Sequence, residues 1–300
     1  MKPIVFVHTN HKQRLGALVS AHSFRRNARG RAAPDVRLLE TKDFPELQRA
    51  AGRTFRRAGH VRRWDPDDLQ SFTPLRFAVP DIMGHRSLAL VVDPDVFAVA
   101  DVAELFARDL GGKAIWCRAR PGHNDSPGYL ATSVMLLDCG ALPHWRFAER
   151  LAALWDGTLD YVDWIELRGE DRMTIGLLEP EWNDFDRLTP ATRLLHTTKR
   201  RTQPWKTGLP IDYTLREGGI AGLAMPIRRL FTPRYRSHPD TNQEAYFYAL
   251  LAEGLDHGAI DRAEVEREMA LGHVRPDSLL LVDRYRGHLW PAELAAPKAA

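Results

Sequence analysis

The chain has 300 residues, 44% of them hydrophobic, which is enough to bury the core of one large domain with an extension. Its 42 basic and 39 acidic residues give a formal net charge of +3, too near balance to indicate a nucleic-acid-binding protein. The two cysteines, Cys117 and Cys139, form no CxxC pair and have no metal-finger spacing, which argues against a disulfide framework. No basic-then-apolar signal segment opens the chain and no apolar run reaches the roughly 18 residues of a membrane span. We therefore expect a cytoplasmic protein without a transmembrane segment, either soluble or peripheral at the inner face of a membrane.

The first part of the chain alternates between apolar runs and segments with helical spacing. The predicted elements are, in order, a strand over Lys2–Val7, a helix over Leu15–Phe24, a strand over Val36–Glu40, a helix over Phe44–Arg57 and a helix over Thr73–Met83. Strands that alternate with helices are typical of an α/β fold with a mostly parallel sheet.

Arginines are concentrated between Arg25 and Arg63. The stretch contains few aromatic residues, Phe44 and Phe55 among them, and no nucleic-acid-binding motif. Two interpretations stay open: a solvated basic face, or a patch for an anionic acceptor or a membrane surface.

The stretch Ser87–Phe106 is the central motif of the chain. The run Leu88–Val92 has the continuous apolar character of a strand buried on both faces. Asp93 and Asp95 follow at once, at the end of the sheet where α/β folds place their ligand sites. Two carboxylates this close repel each other unless a cation lies between them, so the pattern predicts a divalent-metal site rather than a pair of helix caps.

The elements after this motif continue the alternation. Strands are predicted over Lys113–Arg118, Tyr129–Asp138 and the segment ending at Arg193–His196, and helices over 143–155, Glu244–Glu253 and Asp261–Ala270. We expect the ends of several strands to converge on one edge of the sheet, bringing together Thr9, Asn10, Asp93, Asp95 and His196.

His196 ends an apolar run and is followed by four cations within eight residues, namely Lys199, Arg200, Arg201 and Lys206. Oxygen ligands combined with an imidazole suit Mn²⁺, and the cations suit a polyphosphate. A core histidine and a solvated basic face are the alternative interpretations.

The order of the motifs LVVDPDVFAVADVAELF, YLATSVMLLD, EPEWN and LLHTTKRRTQPWK resembles the glycosyltransferase family that includes glycogenin and bacterial lipopolysaccharide galactosyltransferases, family 8. The resemblance covers residues 3–208. It implies a GT-A, Rossmann-like three-layer αβα sandwich with a mostly parallel sheet, and a retaining, metal-dependent reaction. It further implies that Asp93, Asp95 and His196 bind Mn²⁺ or Mg²⁺. The remaining implied residues are those of the nucleotide pocket (His8, Thr9 and Asn10) and the donor-facing Arg76.

The chain departs from the family pattern at three places. Ala131-Thr132-Ser133 replaces an Asn-x-Gly, so a usual sugar-binding amide is missing. The family's Asp-Gln has no clean match, and Asp163 or Asp171 is the candidate catalytic carboxylate. Gln203 stands where the family has its phosphate-binding lysine, for which Lys199 or Lys206 is expected to substitute.

We predict a glycosyltransferase that moves a sugar from a UDP-sugar to a saccharide, a lipid-linked glycan or a protein, with retention of configuration. Residues 1–208 form the predicted catalytic domain, and residues 209–300 a partly helical extension for acceptor binding or homo-oligomerisation. Two alternatives remain: a haloacid-dehalogenase-type phosphohydrolase with Asp93 as nucleophile and Asp95 as acid/base, and a non-catalytic nucleotide-sugar binder.

Overall fold

The computed structural model describes residues 3–28, 33–122, 128–213 and 233–288. Arg29 and Arg31 of the basic stretch, and the tail beyond residue 288, lie outside the described residues. The chain divides into two compact units, Met1–Asp67 with Ser71–His196, and Asp68–Gln70 with Thr197–Ala300.

The strands of the first unit are β1 (Ile4–Thr9), β2 (Asp35–Glu40), β3 (Thr54–Arg57), β4 (His60–Arg63), β5 (Leu88–Val92), β6 (Val96–Ala98), β7 (Ile115–Arg120), β8 (Tyr129–Asp138), β9 (Ile175–Leu177), β10 (Asp184–Phe185) and β11 (Leu194–His196). Its helices are α1 (Arg14–Asn27), α2 (Pro45–Arg49), α3 (Val79–Ile82), α4 (Ala103–Phe106), α5 (Phe147–Asp156) and α6 (Tyr161–Ile165). The second unit contains α7 (Thr241–Asp256), α8 (Arg262–Ala270) and α9 (Ser278–Tyr285).

Within the described residues, the main sheet has six strands in the order β2-β1-β5-β8-β7-β9. Strand β1 pairs in parallel with β2 and β5, and β7 pairs in parallel with β9, while β8 is antiparallel to both β5 and β7. Only β8 therefore runs against the other five, and the predicted mostly parallel sheet is confirmed. A smaller sheet has the order β10-β11-β6, and β3 and β4 form a separate hairpin.

Both faces of the main sheet are covered, which explains the continuous apolar runs in its strands. Along β5, Ala89 and Val91 pack into one core cluster and Leu90 and Val92 into another, because alternate side chains point to opposite faces. The first cluster includes side chains of α5 and α6, and the second includes side chains of α1. The α/β prediction with helices on both faces is thus confirmed.

The predicted helix over Phe44–Arg57 is wrong in its second half. Helix α2 ends at Arg49, and β3 and β4 follow as an antiparallel pair joined at Ala58 and Gly59. Both turn residues have positive φ, 51° and 77°, as a two-residue hairpin turn requires. The hairpin is stable in this place because Phe55 is buried, at 8% exposure, with its ring 6.1 Å from that of Trp64. Because this segment is strongly basic, its hydrophobic periodicity does not indicate a strand.

The predicted helix over Thr73–Met83 is interrupted by its prolines. Residues Thr73–Phe77 form a 3₁₀ helix, and α3 begins two residues later with Pro80 in its first turn. Proline lacks the amide hydrogen that a continuous helix needs in its interior, but its fixed φ suits a first turn.

Candidate metal centre

A tight turn places the two aspartates directly after β5. The amide of Asp93 donates to the carbonyl of Ser133 at 2.9 Å, which extends the β5–β8 pairing by one residue. The amide of Val96 then donates back to the carbonyl of Asp93 at 3.2 Å, and Pro94 occupies the second position of this turn, where its φ is favourable. Asp95 is thereby held between the end of β5 and the start of β6.

Strand pairing brings the histidine to the same place. Strand β6 pairs with β11 so that Val96 lies opposite His196. Asp95 precedes Val96, and its Oδ1 lies 3.3 Å from Nε2 of His196. One potential ligand atom from each of Asp93, Asp95 and His196 lies within 4.8 Å of the others, and all three residues are buried.

This donor set fits a divalent cation. Two carboxylates and one imidazole are the hard-oxygen and nitrogen ligands that suit Mn²⁺, and Mg²⁺ is compatible with the carboxylates. Two buried carboxylates in one cleft also need a positive charge between them, since like charges disfavour joint ionisation. The residues present are therefore consistent with the metal that the sequence motifs imply.

Asn183 orients the imidazole of His196. Its Nδ2 donates to Oγ of Ser133 at 3.0 Å, so its Oδ1 faces Nδ1 of His196 at 2.8 Å and accepts the hydrogen there. With the proton of the imidazole on Nδ1, Nε2 has its lone pair on the side of Asp95. Such a partner behind a metal-binding imidazole fixes both the tautomer and the ring orientation.

Arg76 holds Asp93 with two parallel hydrogen bonds. Its Nε lies 2.9 Å from Oδ1 and its Nη2 lies 2.5 Å from Oδ2. His8 reaches the same carboxylate, with Nε2 2.7 Å from Oδ1 of Asp93. Parallel pairing explains this contact: Val7 lies opposite Val92, so the next residues of β1 and β5, His8 and Asp93, are neighbours. The pair of bonds from Arg76 fixes the direction of the carboxylate as well as its charge.

The pKa of the Asp93 carboxyl lies well below its usual range. Burial alone opposes ionisation, but the charge of Arg76, followed by the hydrogen bond from His8, outweighs it. The pKa of His8 is lowered, chiefly by burial, which Asp93 only partly offsets. The centre thus contains an ionised Asp93 beside a histidine that favours its neutral form.

An irregularity in the main sheet opens β8 at this level. Cys117 pairs with Met135 and the next residue of β7, Arg118, pairs with Ala131, so residues 132–134 of β8 have no partner in β7. Thr132 and Ser133 project to opposite faces there. Thr132 Oγ1 accepts from Nη1 of Arg76 at 2.8 Å and donates to the carbonyl of Ile165 at 2.6 Å, while Ser133 supports Asn183.

Thr9 and Asn10 follow His8 at the end of β1, and their side-chain oxygens bond to the local backbone. Thr9 donates to the carbonyl of Asn10 at 3.1 Å. Asn10 Oδ1 accepts from the amides of Lys12 and Gln13, and its Nδ2 donates to Ser71 at 2.9 Å. His8, by contrast, is fully buried and its Nδ1 has no hydrogen-bond partner among the described residues.

The two predicted catalytic carboxylates lie in different places. Asp163 is on α6, two residues before the carbonyl that accepts from Thr132, and its side chain is 47% exposed with Arg168 Nη1 at 3.2 Å. The side chain of Asp171 caps the turn that leads into β9. Through the pairing of β9 with β7, of β7 with β8 and of β8 with β5, the first residue of β9 lies level with Ala89 at the start of β5. Asp93 lies beyond the other end of β5, about 13 Å away along the strands at about 3.3 Å per residue. The structure therefore does not bring Asp171 to the metal centre.

The two predicted phosphate-binding lysines belong to the second unit. Lys199 is exposed. Lys206 is fully buried, with Nζ 2.8 Å from Oδ2 of Asp212 and 3.2 Å from the carbonyl of His273. Lys206 thus already has an anionic partner within its own unit.

The functional residues that sequence reasoning missed are the supporting ones. The motif EPEWN ends at Asn183 without indicating its role, and Thr132 and Ser133 are described above only as departures from a family motif. Their polar side chains lie in or beside apolar runs, where a hydroxyl or an amide needs a buried partner. The sequence could therefore indicate that these side chains need buried partners. It could not indicate which residues the partners are, because that depends on the fold.

Comparison with solved structures gives neighbours of one class at low identity. The bifunctional glycosyltransferase WbbM, as an apo structure, has 14% identity and a TM-score of 0.46, over 69% of this chain and 47% of that one. Mouse xyloside xylosyltransferase 1, as the apo form, has 14% identity and a TM-score of 0.44, over 66% and 98%. The glycosyltransferase GlyE of Streptococcus pneumoniae TIGR4 has 16% identity and a TM-score of 0.48, over 68% and 56%. The chain thus spans about half of the length of WbbM and GlyE.

No protein-family model and no curated protein matches the sequence. All three structural neighbours are glycosyltransferases, the class that the sequence motifs resemble, but their TM-scores lie below 0.5. The function proposed below therefore depends on the geometry of the metal centre. Among the described residues, no helix has both the length and the apolar character needed to cross a membrane.

Proposed function

We propose that the chain is a GT-A glycosyltransferase that binds Mn²⁺ and a UDP-sugar and transfers the sugar with retention. The observation that supports it is the convergence of Asp93, Asp95 and His196, whose ligand atoms lie within 4.8 Å of one another beyond the carboxyl end of β5. This is the end of the sheet at which α/β proteins bind nucleotides.

The metal would be held by the two carboxylates and by Nε2 of the imidazole, and when bound it would offset the negative charge that develops on a leaving diphosphate. Arg76 keeps Asp93 ionised and fixes its orientation. Asn183 keeps the proton of His196 on Nδ1. These two contacts fix the orientation of the ligand side chains before a cation binds, so these side chains need little reorganisation on binding.

The other residues have assigned roles in the same proposal. His8 lines the nucleotide pocket next to Asp93, as the motif resemblance implies. Its buried Nδ1, which has no hydrogen-bond partner in the part of the chain that the structure describes, is available to a ligand. Asp163 is the proposed catalytic carboxylate, because α6 is tied through Ile165 and Thr132 to Arg76.

The test is turnover of UDP-sugars measured with Mn²⁺, with Mg²⁺ and with a chelator. Wild type should release UDP slowly from a suitable UDP-sugar in a metal-dependent manner, and Asp95→Ala should lose at least a hundredfold in rate, the order that removal of charge stabilisation produces. The control is Asp283→Ala, which removes a carboxylate that is 74% exposed on α9. UDP binding without any turnover would favour the non-catalytic binder, and metal-dependent release of phosphate from simple phosphate esters would favour the phosphohydrolase.

A further inference from the structure

The hairpin formed by β3 and β4 has an unusual concentration of charge. Five arginines lie on it or directly before it, namely Arg53, Arg56, Arg57, Arg62 and Arg63. No carboxylate of the described residues lies within 4.0 Å of any of these five guanidinium groups. We call residues 53–63 the arginine hairpin.

The hairpin presents its arginines on a rigid support. Phe55 anchors it in the core, with its ring 5.5 Å from that of Tyr161 and 6.3 Å from that of Trp155. Arg53 and Arg57 extend over these same rings, at 5.6 Å from Trp155 and 5.1 Å from Tyr161. Such stacking fixes the side chains while leaving their charges in place.

The tip of the hairpin is fixed as well. The amides of Ala58 and Gly59 donate to the two carboxylate oxygens of Asp160 at 2.9 and 2.8 Å. That carboxylate accepts from backbone groups at the turn and lies more than 4.0 Å from the guanidinium groups of the arginine hairpin.

The outward face of the hairpin combines charge with exposed apolar surface. Arg56 lies opposite Val61 and Thr54 lies opposite Arg63, so these four side chains share the face away from Phe55. Val61 is 67% exposed, among the most exposed apolar side chains of the described residues. A valine in this position has no packing role, since its neighbours on the face are two arginines and a threonine.

We infer that the arginine hairpin docks the protein on a bilayer that carries anionic lipid headgroups. Lipid phosphates complement guanidinium groups that have no carboxylate partner among the described residues, and the apolar boundary below the headgroups accepts Val61. A single-stranded nucleic acid would need exposed aromatic rings for base stacking, but Phe55 and Trp64 are buried at 8% and 6% exposure. This inference is independent of the proposed glycosyl transfer.

The size of the effect follows from the charge. One basic side chain near an anionic leaflet strengthens binding about fivefold, and two arginines therefore about 25-fold. The attraction is screened over about 10 Å at 0.1 M salt, so binding should weaken steeply as the salt concentration rises.

The test is co-sedimentation of the whole chain with vesicles, which requires no enzymatic activity. Vesicles of phosphatidylcholine alone are compared with vesicles that also contain one third phosphatidylglycerol (a composition chosen to give a strongly anionic surface). The variants are Arg56→Gln/Arg63→Gln and Val61→Ser. The control, Arg262→Gln/Arg267→Gln, removes the same charge from two exposed arginines of α8 that already contact Glu266 and Glu264.

Wild type and the control should bind the anionic vesicles and not the neutral ones, and the hairpin double variant should bind about 25-fold more weakly. Val61→Ser should weaken vesicle binding without altering the salt dependence, because it removes no charge. Inorganic phosphate at millimolar concentration should compete poorly, since it offers neither a surface nor an apolar layer. The inference is overturned if the double variant and wild type bind the vesicles equally, or if the double variant loses affinity only for a single-stranded RNA or only for free phosphate.

Discussion

Oδ1 of Asn183 lies 2.8 Å from Nδ1 of His196, and this contact determines which nitrogen of the imidazole is available to a cation. Nδ2 of the same amide donates to Oγ of Ser133 at 3.0 Å, and in this orientation the acceptor oxygen faces the ring. A residue of a polar turn therefore controls the chemistry of a residue 13 positions later in the chain.

Replacing Asn183 tests this relationship. Asn183→Ala removes the acceptor and allows the imidazole to rotate or to change tautomer, and Mn²⁺ affinity should fall about 10- to 100-fold. Asn183→Asp keeps an acceptor at the same distance and should retain most of the affinity. Calorimetric titration of Mn²⁺ into both variants gives the answer, and unchanged affinity in Asn183→Ala would show that the contact has no role in metal binding.

The ion pair of Arg76 and Asp93 should show strong coupling in stability. Both side chains are 10% exposed, so Arg76→Gln leaves a buried carboxylate without its cation and should cost about 3–5 kcal/mol of unfolding free energy. Asp93→Asn in the same background removes the stranded charge and should restore part of this loss. Denaturant unfolding in the presence of chelator measures the unfolding free energy of wild type, of the two single variants and of the double variant. Strictly additive effects of the two substitutions would show that the two side chains are not coupled.

Glu40 provides a pH-dependent contribution to stability. Burial of its carboxyl opposes ionisation, but hydrogen bonds from Arg14 and Lys42 outweigh this and lower its pKa from an ordinary value of 4.5. Because the folded-state pKa is depressed, the stabilisation is fully present above the unfolded pKa and is lost as the pH falls through the folded pKa.

Glu40→Gln should therefore lower the unfolding free energy by about 1.5–3 kcal/mol at neutral pH, as for hydrogen bonds to a charged group. The difference from wild type should shrink as the pH is lowered below the ordinary pKa of the carboxyl. Urea titrations across this range provide the measurement, with Asp43→Asn as the exposed control, for which a change within about 0.5 kcal/mol is expected. A difference that stays constant with pH would rule out the ion pair as its cause.

The parts of the fold that the sequence predicts well are those with a continuous apolar run. The strands Leu88–Val92 and Tyr129–Asp138 have the same bounds in the prediction and in the structure, because strands buried on both faces form nearly continuous apolar runs. Thr132 and Ser133 are the polar exceptions within the second run. The convergence of Asp93, Asp95 and His196 was predictable for a related reason, since each residue follows or ends an apolar run that forms a strand.

The parts that could not be predicted depend on contacts distant in the chain. Strand Thr54–Arg57 exists because Phe55 meets rings from other elements, and no local pattern contains that information. The position of Asp171 at the far end of the main sheet depends on the register of β9 with β7, which is set by the fold. Charge alone likewise could not indicate that Lys206 is buried against Asp212.

We propose that Asp93, Asp95 and His196 bind a metal and that a nucleoside diphosphate binds only together with this metal. The decisive experiment is calorimetry of UDP binding with Mn²⁺, with Mg²⁺ and with chelator, on wild type and on Asp95→Ala. UDP should bind wild type only in the presence of the metal and should not bind Asp95→Ala, while thermal unfolding of the variant should stay close to that of wild type. UDP binding of equal strength with chelator, or equal binding by Asp95→Ala, would overturn the proposal.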